Sequence, residues 1–146
     1  MDNLTWVLVA DAARAVIFRA HKAKLFDGDG NALTFINRLE HPESRLRDQD
    51  LVSDKQGRFG NATFSEPTDP KKHQEDIFAA EIAKILQQGH YEKKYAELIF
   101  VAPVPFMGMV DNHLTKDILN LICLRVEKDF TLNTQEEIVK HLQIYL

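Results

Sequence analysis

The chain of 146 residues is poor in the features that announce a function. It has one cysteine, Cys123, which excludes an internal disulfide and fits a reducing compartment. There is no excess of positive charge. The formal net charge of −4 argues against a generic nucleic-acid clamp, because phosphate binding needs clustered Lys and Arg. There is no long uninterrupted apolar run either. The longest, residues 98–110, is broken by Pro103, Pro105 and Gly108, so no membrane span is expected. The N-terminal MDNLTWVLVA carries an acid where a signal peptide carries positive charge, and a cytoplasmic location is expected. No Gly-x-Ser-x-Gly, P-loop or dinucleotide fingerprint occurs, so no cofactor is expected. The histidines at 21, 41, 73, 90, 113 and 141 include no i, i+4 pair, and no cysteine stands beside them at zinc-ligand spacing, so no metal is assigned.

What the chain does have is the composition of a soluble globular domain, 45 % hydrophobic and 27 % charged. Residues 1–146 read as a single domain with a long polar loop at about 41–69. Residues 4–10 (LTWVLVA) are apolar on both faces, the pattern of a central strand covered on both sides. A tight connection at Asp11-Ala12-Ala13 leads to a second strand at 14–20. A turn at Asp27-Gly28-Asp29-Gly30-Asn31 leads to a third at 32–39, with period-2 alternation. Asp69 as N-cap and Pro70 as first residue open a helix with a stripe of Phe78, Ile82, Ile85 and Leu86, ended by a left-handed Gly89. A fourth strand is expected at 98–102 and a short helix within 103–114. A second short helix begins near Thr115, and the last strand spans 121–126. The capping box Thr134-x-x-Glu137 leads a terminal helix burying Ile138, Leu142, Tyr145 and Leu146.

This order predicts an α/β fold of three layers around a five-stranded mixed sheet of order 3-2-1-4-5, the ribonuclease-H-like arrangement. Cys123, in an apolar context, reads as an inert core residue.

Between the third strand and the long helix lies HPESRLRDQDLVSDKQGRFG, residues 41–60, with almost no apolar content. A structureless loop of this length is usually functional or disordered. Residues 47–67 bury too little apolar surface to offset an ordering cost of roughly 1–2 kcal/mol per residue, so they are expected to order only against a partner. Arg45, Arg47 and Arg58 would grip phosphate or carboxylate, and Phe59 and Phe64 would serve as stacking anchors. The competing reading pairs these arginines with Asp48, Asp50 and Asp54.

Asp11, at the end of the first strand, is either a metal-binding carboxylate or a turn residue. Glu40 and Glu127 are its candidate partners, and Glu97 would lie at the opposite strand end. His73 and Asp76 could share a helix face, with His73 contacting the polar loop. A crevice between Asp11, residues 103–108 and the polar segment is the expected pocket, since ligands gather at the carboxyl ends of parallel strands.

WVLVADAARAVIF, HPESRLRDQDLVSDKQGR, DPKKHQEDIFAAEIAKIL and LIFVAPVPFMGMV together resemble the bacterial host attachment protein family. DLVSD-x-x-GR is the most specific of these elements. That family is in turn similar to the middle domain of archaeo-eukaryotic peptide-chain release factors, which implies the same ribonuclease-H-like fold. The resemblance implies that Gly57, Arg58 and Gly60 frame a loop like the glycine-rich catalytic loop of those factors. Phe59 replaces a glycine there, and Asn61 stands in place of the glutamine, with less reach. A non-catalytic cytoplasmic binding module associated with RNA, tRNA or the ribosome, or with another protein partner, is the reading adopted. Its ligand-binding candidates are Asp11, Arg45, Arg47, Asp50, Asp54, Gly57, Arg58, Phe59, Asn61 and His73. The alternatives are a hydrolase, either a release-factor-like esterase or a metal-dependent nuclease, and a surface protein needed for attachment to host cells.

Overall fold

A computed structural model of the chain describes residues 4–41 and 69–146. Its elements are β1 (Thr5–Ala10), β2 (Arg14–Ala20), α1 (Lys22–Phe26), β3 (Leu33–Glu40), α2 (Pro70–Tyr91), β4 (Glu97–Val101), α3 (Val104–Asp111), α4 (Lys116–Leu119), β5 (Ile122–Val126) and α5 (Gln135–Gln143). They form one sheet of order β3-β2-β1-β4-β5, as expected. β1 pairs antiparallel with β2 and parallel with β4, and β4 pairs parallel with β5.

The central position of β1 explains its unbroken apolar run. Trp6, Leu8 and Ala10 face one layer, with Phe78, Ile82 and Leu86 of α2 and Phe106 and Val110 of α3. Val7 and Val9 face the other, with Leu25 of α1 and Ile138, Val139 and Leu142 of α5. A strand buried on both faces cannot alternate with polar residues.

α2 starts as its sequence predicts, with the Asp69 carboxylate accepting from the Lys71 amide at 3.0 Å. It does not stop at Gly89. The helix continues to Tyr91, and the left-handed residue is Lys93, at φ 59°. Gly89 is there for close approach: a Cβ would lie 2.5 Å from Cη2 of Trp6 and 3.2 Å from the Tyr95 ring. Trp6 and Tyr95 stack at 4.7 Å, and the Tyr95 hydroxyl donates to the Leu86 carbonyl at 2.7 Å. Burial pushes that hydroxyl's pKa up.

Three further expectations are corrected. Cys123 is exposed, because among the described residues β5 is an edge strand with no covering neighbour on one side. Tyr145 and Leu146 lie beyond the end of α5 and are 44 % and 42 % exposed, with Val139 taking their place in the core. β3 does not alternate cleanly. At the other edge of the sheet, its pairing shifts so that Ile17 opposes Asn37 while Phe18 opposes Phe35, leaving Ile36 as a bulge. The Asn37 side chain then accepts the Arg38 amide at 2.7 Å. Helix α1 was not expected at all; it is five residues long and buries Leu25 alone.

Among the described residues, no helix is long and apolar enough to cross a membrane. The α5 capping box is complete: Thr134 Oγ1 accepts from the Glu137 amide at 3.1 Å, and Glu137 Oε1 accepts from the Thr134 amide at 2.9 Å. Thr134→Ala is therefore expected to cost about 1 kcal/mol, read as a lower thermal midpoint, with Thr134→Ser near wild type.

Candidate functional site

Because β1 and β4 are parallel neighbours, their carboxyl ends lie side by side. After β1 the chain must turn at once to form β2. Asp11 makes this possible, its Oδ1 accepting from the Ala13 and Arg14 amides at 2.8 and 2.9 Å. After β4, Ala102 and Pro103 lead into α3, where Pro105 stands in the first turn and needs no amide partner. Between these two connections opens a crevice of about 320 Å³. Asp11, Ala12 and Ala13 form one wall and Pro103, Pro105 and Phe106 another, with Lys71 and Glu75 of α2 completing it.

The floor is held by stacked rings. Phe106 lies 6.0 Å from Phe78, and Phe78 lies 5.0 Å from His41 at an interplanar angle of 3°. His41 is therefore a buried residue, although the sequence places it at the head of the polar segment. Its amide donates to the Ala13 carbonyl at 2.8 Å. Ala13 and Lys71 both line the crevice, so His41, bonded to Ala13, and Asp69, bonded to Lys71, stand beside it.

The second oxygen of Asp11 looks toward the loop after β5. Thr131 Oγ1 lies 3.0 Å from Asp11 Oδ2 and 2.6 Å from Asp129 Oδ1. Arg14 Nη1 stands 3.8 Å from Asp11 Oδ2. Burial pushes the Asp11 carboxyl above the usual carboxylate range, and Asp129 adds to this, against the pull of the two turn amides. Burial would raise Asp129 as well. The Thr131 hydroxyl and amide, with Asp11 and Arg14, outweigh it and hold Asp129 below that range.

Of the residues singled out by sequence, Asp11 is in the crevice, and Oδ1 has the turn role. His73 is exposed on α2 and is absent from the crevice lining. Its expected neighbour Asp76 reaches instead to His113 Nε2, at 2.9 Å. Arg45, Arg47, Asp50, Asp54, Gly57, Arg58, Phe59 and Asn61 lie outside the described residues, as does the span 47–67 expected to order on binding. Glu40 is ion-paired with Arg38 at 3.4 Å, and Glu97 with Lys22 at 2.7 Å, at the far end of β4. Among the described residues, no three His, Cys, Asp or Glu side chains converge as a metal site would need.

Asp129, Thr131, Lys71 and Glu75 were not anticipated. A signal for Asp129 existed: it follows the carboxyl end of β5, two residues beyond Glu127. Lys71 and Glu75 could have been found from the first turns of α2, which the Asp69-Pro70 start points toward the loop end.

The pattern of the family described as "Protein required for attachment to host cells" matches residues 6–142. No curated protein matches the sequence. Among solved structures, the archaeal translation termination factor aRF1 is similar, with a TM-score of 0.43 and 11 % identity over 95 % of this chain. The match covers 37 % of that factor, so this chain spans well under half of its length.

Proposed function

The chain belongs to the family of proteins required for attachment to host cells, and from that premise we propose that it acts by contact rather than by catalysis, as a cytoplasmic binding module whose partner is RNA, as tRNA or within the ribosome. One observation supports the reading: His41 and Asp69, which border the polar stretch in sequence, both stand beside one crevice at the carboxyl ends of β1 and β4. Lys71 lines that crevice, and the sequence between His41 and Asp69 carries Arg45, Arg47 and Arg58. With a net charge of −4, attraction for phosphate has to come from individual cations such as Lys71 and these arginines. Asp11 supports a non-catalytic site, because its oxygens are taken up by turn amides and by Thr131.

The test is fluorescence anisotropy with labelled tRNA, beside cosedimentation with ribosomes. Binding is expected to weaken with salt, and Lys71→Glu is expected to weaken it about tenfold while lowering the log–log salt slope by about one. Lys71 is half-buried at the start of α2, so a thermal melt of the variant accompanies the binding measurement. Absence of binding to both would overturn the reading, and turnover of the bound RNA or its ester would replace it with an enzyme. The family description favours a second reading, action at the cell surface. Fractionation that recovers the protein outside the inner membrane would support it.

A further inference from the structure

We propose that Asp11 and Asp129 hold one proton between them through the Thr131 hydroxyl, and that loss of this proton unlatches the loop of residues 127–134 from the β1–β2 turn.

A hydroxyl has one hydrogen to donate and two lone pairs to accept with. Thr131 Oγ1 sits within hydrogen-bonding distance of two carboxyl oxygens, at 2.6 Å from Asp129 and 3.0 Å from Asp11. If both carboxyls were ionised, the hydroxyl could satisfy one of them, and the other would face only lone pairs. Two hydrogen bonds require a second proton, carried by one of the acids. Asp129 is the better-supported anion, since it has the shorter contact and its Oδ1 also accepts from the Thr131 amide at 2.9 Å. The acid is then Asp11, donating to Thr131 while Thr131 donates to Asp129. The opposite displacements of the two carboxyls, Asp11 up by burial and Asp129 down by the Thr131 bonds, agree with this assignment.

The consequence for the backbone follows from how each carboxyl is anchored. Oδ1 of Asp11 is fixed by the amides of Ala13 and Arg14, and Oδ1 of Asp129 by the amide of Thr131. Neither side chain can swing away without dismantling its own turn. When both are charged, the separation must come from the loop. That loop carries Phe130, buried and stacked 4.8 Å from His141, and ends at the Thr134 cap of α5. Thr131 also lines a second concavity of about 170 Å³ over Phe35 and Arg38, while Asp11 lines the crevice. The latch thus stands between the two concavities, one on either side of it.

Other charged groups surround the latch. Arg14 approaches Asp11 to 3.8 Å and tempers the repulsion. Lys71 and Glu75 face Asp11 across the crevice, and Arg38 lies in the second concavity. Glu137 binds Asn133, and His141 stacks on Phe130. His141 packs on the same loop through Phe130, so the test includes His141→Gln as a control.

The experiment is carboxyl-carbon NMR on the full chain from about pH 3 to pH 8, with amide hydrogen-exchange protection measured across residues 130–133. Asp11 is expected to titrate above an ordinary carboxylate and Asp129 below it. Protection in the loop is expected to fall about tenfold as pH rises through the Asp11 midpoint. In Asp129→Asn the Asp11 midpoint should drop toward the ordinary value and the loop should stay protected throughout. Asp11→Asn provides the same check should that variant fold poorly, since its amide can still accept from the turn. Thr131→Val should remove the coupling between the two midpoints. An ordinary midpoint for Asp11 would overturn the proposal. So would a pH-dependent loss of protection that persists in Asp11→Asn and disappears in His141→Gln. No RNA enters the test, so its outcome is independent of the proposed partner.

Discussion

Gly89→Ala is expected to destabilise the protein by about 1–3 kcal/mol, although the same exchange in an exposed helix stabilises by roughly 0.5–1 kcal/mol. The sign reverses because the added methyl would stand 2.5 Å from Trp6 Cη2 and 2.8 Å from Cζ3. Trp6 cannot retreat, being buried and stacked on Tyr95. Tyr95 is in turn fixed by its bond to the Leu86 carbonyl. For a domain of this length the loss corresponds to a thermal midpoint lower by roughly 3–5 °C per kcal/mol. The decisive measurement is a double-mutant cycle with Trp6→Phe, which removes the two atoms nearest the added methyl. The two changes together are expected to cost at least 0.5 kcal/mol less than their sum. Strict additivity, or a stabilised Gly89→Ala, would show that the helix and the indole are not in contact.

Phe78→Ala should have the largest effect of any single truncation near the crevice, about 3–5 kcal/mol in urea unfolding. The side chain is fully buried among β1, β4 and α3, and its ring lies between those of His41 and Phe106. Removing it leaves a cavity directly beneath the crevice wall and frees the end of β3 from α3. Phe78→Leu keeps most of the buried volume and is expected to cost less than half as much. If the tRNA-binding reading holds, the leucine variant should also bind more weakly than its stability loss explains, because His41 would lose the ring that orients it. Full binding by Phe78→Leu would show that the stack supports the fold alone.

The parts of the fold that sequence made visible were those whose cause is local. The capping box needs three residues' spacing, the start of α2 needs Asp69 beside Pro70, and β1 needs an apolar run with no polar break. What escaped depended on partners far along the chain. Gly89 looked like a helix end because glycine commonly is one, and its reason for being glycine is a tryptophan on β1. Cys123 looked buried because its neighbours are apolar, while its exposure comes from the place of β5 at the sheet edge. The site divided in the same way. Asp11 and the proline-bordered loop were visible at strand ends, but Thr131 lies 120 positions from Asp11 and nothing in either segment alone points to the other.

The border of the sheet at β3 bears on how the protein behaves in a crowded solution. A straight edge strand is a template: each outward amide is a standing invitation to another chain, and growth can continue copy after copy. Here the outline is kinked where Ile36 has no opposite number, and the Arg38 amide is already engaged by the side chain next to it. A colliding molecule meets a ladder with one rung displaced and another occupied. The pairing that would propagate between copies is interrupted at Ile36 and again at Arg38, at the cost of one bulge and one asparagine amide. On this side the sheet can carry the exposed apolar residues Phe35 and Ile36 without their becoming the seed of an aggregate.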